Sequence, residues 1–164
     1  MNKLAVATAI FALACVRPVA EPPSPARPTA SQPMSATESA IVNAINDERE
    51  QRGLRPVTWD PRLDQAAKLQ ARNMAALRRM AHNLPETAQP TLVARVRAAG
   101  YAYRRITENI AFGQRDAETV VESWMNSPGH RANILDPNVS ETGIGVTRSE
   151  NGRLYFCQVF GARP

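Results

Sequence analysis

His82 and His130 are the two histidines of this sequence, and imidazole is the side chain whose own pKa lies closest to neutrality and the commonest nitrogen ligand for transition metals. Two neutral imidazoles with a carboxylate can make a first shell for a divalent ion such as zinc. The open position then holds a water whose pKa the metal lowers to about 7. The spacing does not choose that chemistry, because His82 and His130 are no i, i+4 pair and nothing local brings them together. Ser127, three residues before His130, is conceivable as a hydroxyl nucleophile with His130 as its base. A serine before Pro128-Gly129 is also ordinary turn chemistry at the end of a helix. Cys157 lies in the apolar run Leu154, Tyr155, Phe156, Cys157, Val159, Phe160, where a thiol is buried and inert rather than nucleophilic.

The elements that must carry these residues follow from caps and periodicity. Ser35 with Glu38 forms a capping box, and Ile41, Ala44, Ile45 and Glu48 continue a helix that Gly53 ends. Asp60-Pro61 opens a second helix with one stripe of Leu63, Ala66, Ala67, Gln70, Asn73, Met74 and Leu77. The polar members near the end of that stripe predict a face that reaches a cleft. From Arg78 to Pro90 the pattern lapses, and His82-Asn83 lies in that irregular stretch. A third helix runs from about Thr91 to Ala99 with Gly100 as its stop. Thr107 to Gly113 reads as a short strand or extended turn. Asp116 caps a fourth helix that contains Val120, Val121, Trp124 and Met125 and is closed by Ser127-Pro128-Gly129. Trp124 and Met125 read as core. Gly143 to Thr147 and Arg153 to Gly161 flank Asn151-Gly152 as a hairpin. Its second strand is apolar on both faces, so helices must cover it above and below. The fold class predicted is α/β, a three-layer α/β/α sandwich around a small, mainly antiparallel sheet.

Residues 1–14 have the form of a signal peptide: Lys3, then an uncharged run from Leu4 to Ala14 that is too short for the roughly 20 residues of a membrane span. Ala12-Leu13-Ala14-Cys15 reads both as a lipobox, with Cys15 the lipidation site, and as an ordinary cleavage site. Residues 15–36 form a proline-rich tether, which suits a domain held off a membrane by a stiff spacer. The protein is therefore expected to be exported, either as a membrane-anchored lipoprotein or secreted. If Cys15 is acylated, Cys157 has no partner inside the folded domain, residues 37–164, and no disulfide forms there. That domain carries 17 basic and 14 acidic residues, with Arg49, Arg62, Arg78, Arg95, Arg115 and Arg148 scattered along it. Nucleic acid is not an expected partner, since its recognition needs a concentrated basic patch.

Several motifs in register resemble the CAP superfamily, also called the SCP domain, in its bacterial form. They are Glu108-Asn109-Ile110-Ala111 with Gly113, Trp124 to Arg131 with Asn133-Ile134-Leu135, Gly143 to Val146, and Phe156 to Gly161. Trp59-Asp60, Leu63, Ala67, His82-Asn83 and Gly100-Tyr101 precede them in the same order. The resemblance implies a cleft lined by His82, Glu108 and His130, with Asn83, Asn109, Ser127 and Asn133 in supporting positions. Asn109 and Asn133 would fasten neighbouring segments. Some members bind a divalent metal there, which would place zinc on His82 and His130. The second glutamate of the family's cleft is missing, since Ser127 stands at its position, and Glu122 is not its evident substitute. The cleft residues can equally form a hydrogen-bonded polar network without chemistry. The function expected is an extracytoplasmic module that binds a lipid, peptide or envelope ligand. The alternative is a metal-dependent hydrolase of peptidase or esterase type.

Overall fold

A computed structural model describes residues 33–164. The expected signal peptide, Cys15 and the expected tether up to residue 32 lie outside the described residues. Helix α1 (Ala36–Glu50) starts at the predicted capping box: Ser35 Oγ accepts from the Glu38 amide at 3.3 Å, and Glu38 accepts from the Ser35 amide at 2.7 Å. Strand β1 (Thr58–Trp59) is too short to leave a periodic signal in the sequence. Asp60 then caps α2 (Pro61–Leu77) by accepting from the amides of Arg62 and Leu63. Helix α3 (Leu92–Ala98) begins at Thr91. Its chain reverses at Gly100, whose φ of 74° is a left-handed conformation that glycine adopts without strain.

Strand β2 (Arg105–Phe112) is longer than the expected Thr107 to Gly113 core. Helix α4 (Ala117–Met125) starts at the predicted Asp116 cap. The segment Ser127-Pro128-Gly129 corrects the sequence reading. It does not merely close α4, but begins a further helix, α5 (Pro128–Ile134), with Ser127 as its N-cap residue. Proline suits the first position of a helix, where its missing amide hydrogen has no partner to lose. Its presence here therefore marks a beginning as readily as an end. Strands β3 (Glu141–Arg148) and β4 (Leu154–Ala162) form the predicted hairpin.

The sheet order is β1-β3-β4-β2, with β1 parallel to β3 and the other pairs antiparallel. On one face α1, α4 and α5 bury Ile41, Ile45, Trp124 and Ile134 against Ile144, Phe156 and Phe160. On the other, α2 and α3 bury Leu63, Met74 and Val96 against Ile110, Cys157 and Val159. β4 thus lies between two cores, and the three-layer α/β/α sandwich is as expected. Trp124 is fully buried, and Met125 packs beside the same core.

β2 is one of the two edge strands of this sheet order, and strand edges with free polar groups invite unwanted pairing. Here the helices close it. Asn133 of α5 donates to the Glu108 carbonyl at 3.2 Å, and the Trp124 indole of α4 donates to the Ile110 carbonyl at 3.3 Å.

Candidate functional site

The three predicted cleft residues come from three different elements that meet along β2. Side chains alternate across a strand, so Glu108 and Ile110 point to the α2/α3 layer, whereas Asn109 and Ala111 point to the α4/α5 layer. His82 arrives from the segment after α2. His130 arrives from α5, a helical position rather than the loop expected from its neighbours.

Glu108 is the centre of the arrangement, and its side chain is buried. Oε1 lies 2.8 Å from His82 Nδ1. Oε2 accepts from Arg95 Nη2 at 2.5 Å and from the Cys157 thiol at 3.3 Å. Arg95 is a fully buried cation on α3, and its Nη1 also donates to the His82 carbonyl at 3.3 Å. Gln70 on α2 donates to the carbonyls of Ala81 at 2.5 Å and His82 at 3.3 Å. Gln70, from the polar end of the α2 stripe, thus ties down the segment that carries His82. On the other layer, Asn109 donates to the His130 carbonyl at 3.2 Å, and Asn133 donates to Asn109 Oδ1 at 2.9 Å. Both asparagines fasten segments. Among the described residues, Asn83 and Ser127 are not drawn into these hydrogen bonds.

The electrostatics separate the two imidazoles. His82 is pushed above the ordinary histidine value, first by its hydrogen bond to Glu108 and then by the glutamate's charge, with burial and Arg95 opposing. His130 is pushed below it, first by burial and then by the charge of His82. Burial raises the Cys157 thiol well above the usual cysteine range, and the Glu108 charge adds to the effect. Cys157 therefore stays a thiol, in keeping with the inert cysteine expected from the sequence.

Arg95 is the residue that sequence reasoning missed. In the sequence it stands among scattered charges, together with Arg49, and both are fully buried. Arg49 braces the fold, donating to the carbonyls of Ile134, Asp136 and Arg55 at 2.6, 3.0 and 2.9 Å. A faint signal existed for Arg95, because on a seven-residue helix its spacing from Leu92 and Val96 places it towards the core side.

A metal shell of two imidazoles and a carboxylate does not fit this arrangement. Both Glu108 oxygens are engaged by hydrogen-bond donors, one of them cationic, so the carboxylate is not free as the third ligand. Among the described residues no set of three His, Cys, Asp or Glu side chains is grouped as a metal would require. Zinc sites take three or four protein ligands. Glu122 does not complete the set either. It lines a separate groove of about 760 Å³ between α1 and α4, together with Asp47, Glu48 and Glu118.

The family model described as the cysteine-rich secretory protein family, CAP, matches residues 42–160. Uncharacterized protein YkwD of Bacillus subtilis strain 168 is 35% identical over 133 residues, covering 81% of this chain and 50% of that relative's length. An outer surface protein from Borrelia burgdorferi superposes with a TM-score of 0.70 at 23% identity, covering 77% of this chain and 92% of the other. An extracellular protein containing a SCP domain from Bacillus anthracis gives a TM-score of 0.69 at 23% identity, covering 82% and 45%.

Proposed function

Since this chain belongs to the cysteine-rich secretory protein family, CAP, we propose that it works outside the cytoplasm as a binding module whose His82, Glu108 and His130 cleft receives a lipid, peptide or cell-envelope ligand. The observation that carries this reading is the condition of Glu108. Its two oxygens serve His82, Arg95 and Cys157, whereas a general base must reach the proton it abstracts from a substrate. This carboxylate holds the cleft together, and His82, with 55% of its side chain exposed, is what a ligand meets.

An extracytoplasmic place is supported by the signal-like N-terminus and by solved relatives described as outer-surface and extracellular. Cys15 is the acylation site in this reading, and the proline-rich segment is the spacer to the membrane. The mass of the mature N-terminus checks it. A lipid-modified Cys15 is expected, and an unmodified one makes the protein soluble and secreted. No helix among the described residues is long and apolar enough to cross a membrane.

The binding reading is tested by screening peptide, ester and peptidoglycan substrates with and without zinc, alongside binding to lipid vesicles, peptides and envelope fractions. Binding without turnover is expected, weakened roughly tenfold by His82→Ala if one ligand hydrogen bond is lost. Turnover that disappears in both His82→Ala and His130→Ala would replace this reading with a hydrolase.

A further inference from the structure

If the cleft is a ligand site, as proposed above, the neighbours of Glu108 decide which atom of His82 a ligand meets. The Arg95 guanidinium carries only hydrogen-bond donors, and the protonated Cys157 thiol donates too, so hydrogens approach Oε2 from α3 and from β4. Oε1 is left as the acceptor of the remaining bond, and the hydrogen in that bond sits on His82 Nδ1, 2.8 Å away. Which imidazole nitrogen carries the proton is set by the hydrogen bond its partner nitrogen makes. In the neutral imidazole His82 Nε2 is therefore the bare nitrogen, on a ring whose other edge is bonded to a buried carboxylate.

Arg95 acts on His82 in two further ways. Its Nη1 holds the His82 carbonyl while its Nη2 holds the carboxylate, so one planar fork fixes both the backbone and the partner of the imidazole. Its charge also balances that of Glu108. Without the guanidinium, the buried carboxylate would hold a proton on His82 more tightly, which favours Nε2 as a donor.

We propose that Arg95 is the positioning residue of the cleft, locking Glu108 and the His82 backbone into one unit so that His82 keeps its Nδ1–H on Glu108 and turns Nε2 towards a ligand. Above the titration of His82 the group that meets Nε2 is then a hydrogen-bond donor, a hydroxyl or an amide N–H, and below it an acceptor. The charged and titratable groups that bear on His82 are Glu108 from β2, Arg95 from α3, the Cys157 thiol from β4 and His130 from α5.

The test is long-range proton–nitrogen NMR of the 15N-labelled, ligand-free full chain, which fails or succeeds independently of whether any ligand is found. In the wild-type protein above the titration of His82, Nδ1 is expected as the protonated nitrogen and Nε2 as the bare one. An Nε2–H imidazole overturns the proposal before any variant is made. In Arg95→Met, with the remaining amide spectrum preserved, the His82 titration is expected to move upward, and Arg95→Lys is expected to bring it back towards wild type by restoring the charge. Should Arg95→Met not fold, Arg95→Gln carries the same expectation, since it keeps donors without the charge. A folded uncharged variant whose His82 titrates where wild type does, or lower, assigns Arg95 a packing role only and overturns the proposal.

Discussion

His82 and His130 are one residue type in two surroundings, and pH acts on them with opposite sign. His82 is raised by its bond to Glu108, so its folded form binds a proton more tightly than the unfolded chain does. The stability it contributes is present below the unfolded value of about 6.5 and is lost as pH rises through its higher folded value. His130 is lowered by burial, so the folded form resists its protonation. Its contribution is full above about 6.5 and is lost as pH falls from there through its lower folded value. The two imidazole titrations should therefore bracket the free-histidine value, His82 above and His130 below, when followed by NMR. Glu108→Gln should move His82 downward and leave His130 on its own side. His130 titrating above His82 would contradict the arrangement. Both histidines were singled out in the sequence because they are rare and fall on motif positions. Arg95 was not, since an arginine looks alike whether solvated or buried until its partner across the fold is known.

Helix α2 lies so close to β3 that the contact works only with glycine. A methyl group on Gly143 would overlap the backbone of Leu63 and Asp64, and one on Gly145 would overlap that of Ala67 and Lys68. Since backbone rather than a flexible side chain stands in the way, relief requires moving the whole helix, which carries Gln70 and hence the hold on His82. Gly143→Ala and Gly145→Ala should each cost more than about 3 kcal/mol, beyond the usual range for point changes. Gly129→Ala is the control: its added methyl meets nothing within 4 Å, and on a helix alanine should be neutral or stabilise by up to about 0.5 kcal/mol. Urea unfolding of the three variants decides it, and similar midpoints for all three would show that the helix–sheet contact yields. The hairpin containing these glycines was readable from Asn151-Gly152 and the apolar strand that follows it. Their reason was not, because a glycine in a strand reports a close approach without saying by what. The α5 helix was missed on similar grounds, as Ser127-Pro128-Gly129 punctuates a chain equally well before a helix and after one.

At the scale of the whole domain, one strand joins two cores. β4 gives Phe156 and Phe160 to the layer of α1, α4 and α5, and Tyr155, Cys157 and Val159 to the layer of α2 and α3. Neither layer can leave without exposing one face of β4, so the two should unfold together. Cys157 is the free cysteine among the described residues, so this coupling rests on packing and hydrogen bonds, and a reductant should not shift it. The chain carries a reporter on each face. Trp124 is fully buried in one core and Cys157 in the other. In a chain with Cys15→Ser and Trp59→Phe, the loss of Trp124 fluorescence and the gain of Cys157 reactivity towards a thiol reagent should show the same urea midpoint, as a single cooperative transition requires. Labelling of Cys157 at urea concentrations where Trp124 is still native would mean that α2 and α3 lift away first. The cleft along β2, built from both layers, would then open before the domain unfolds.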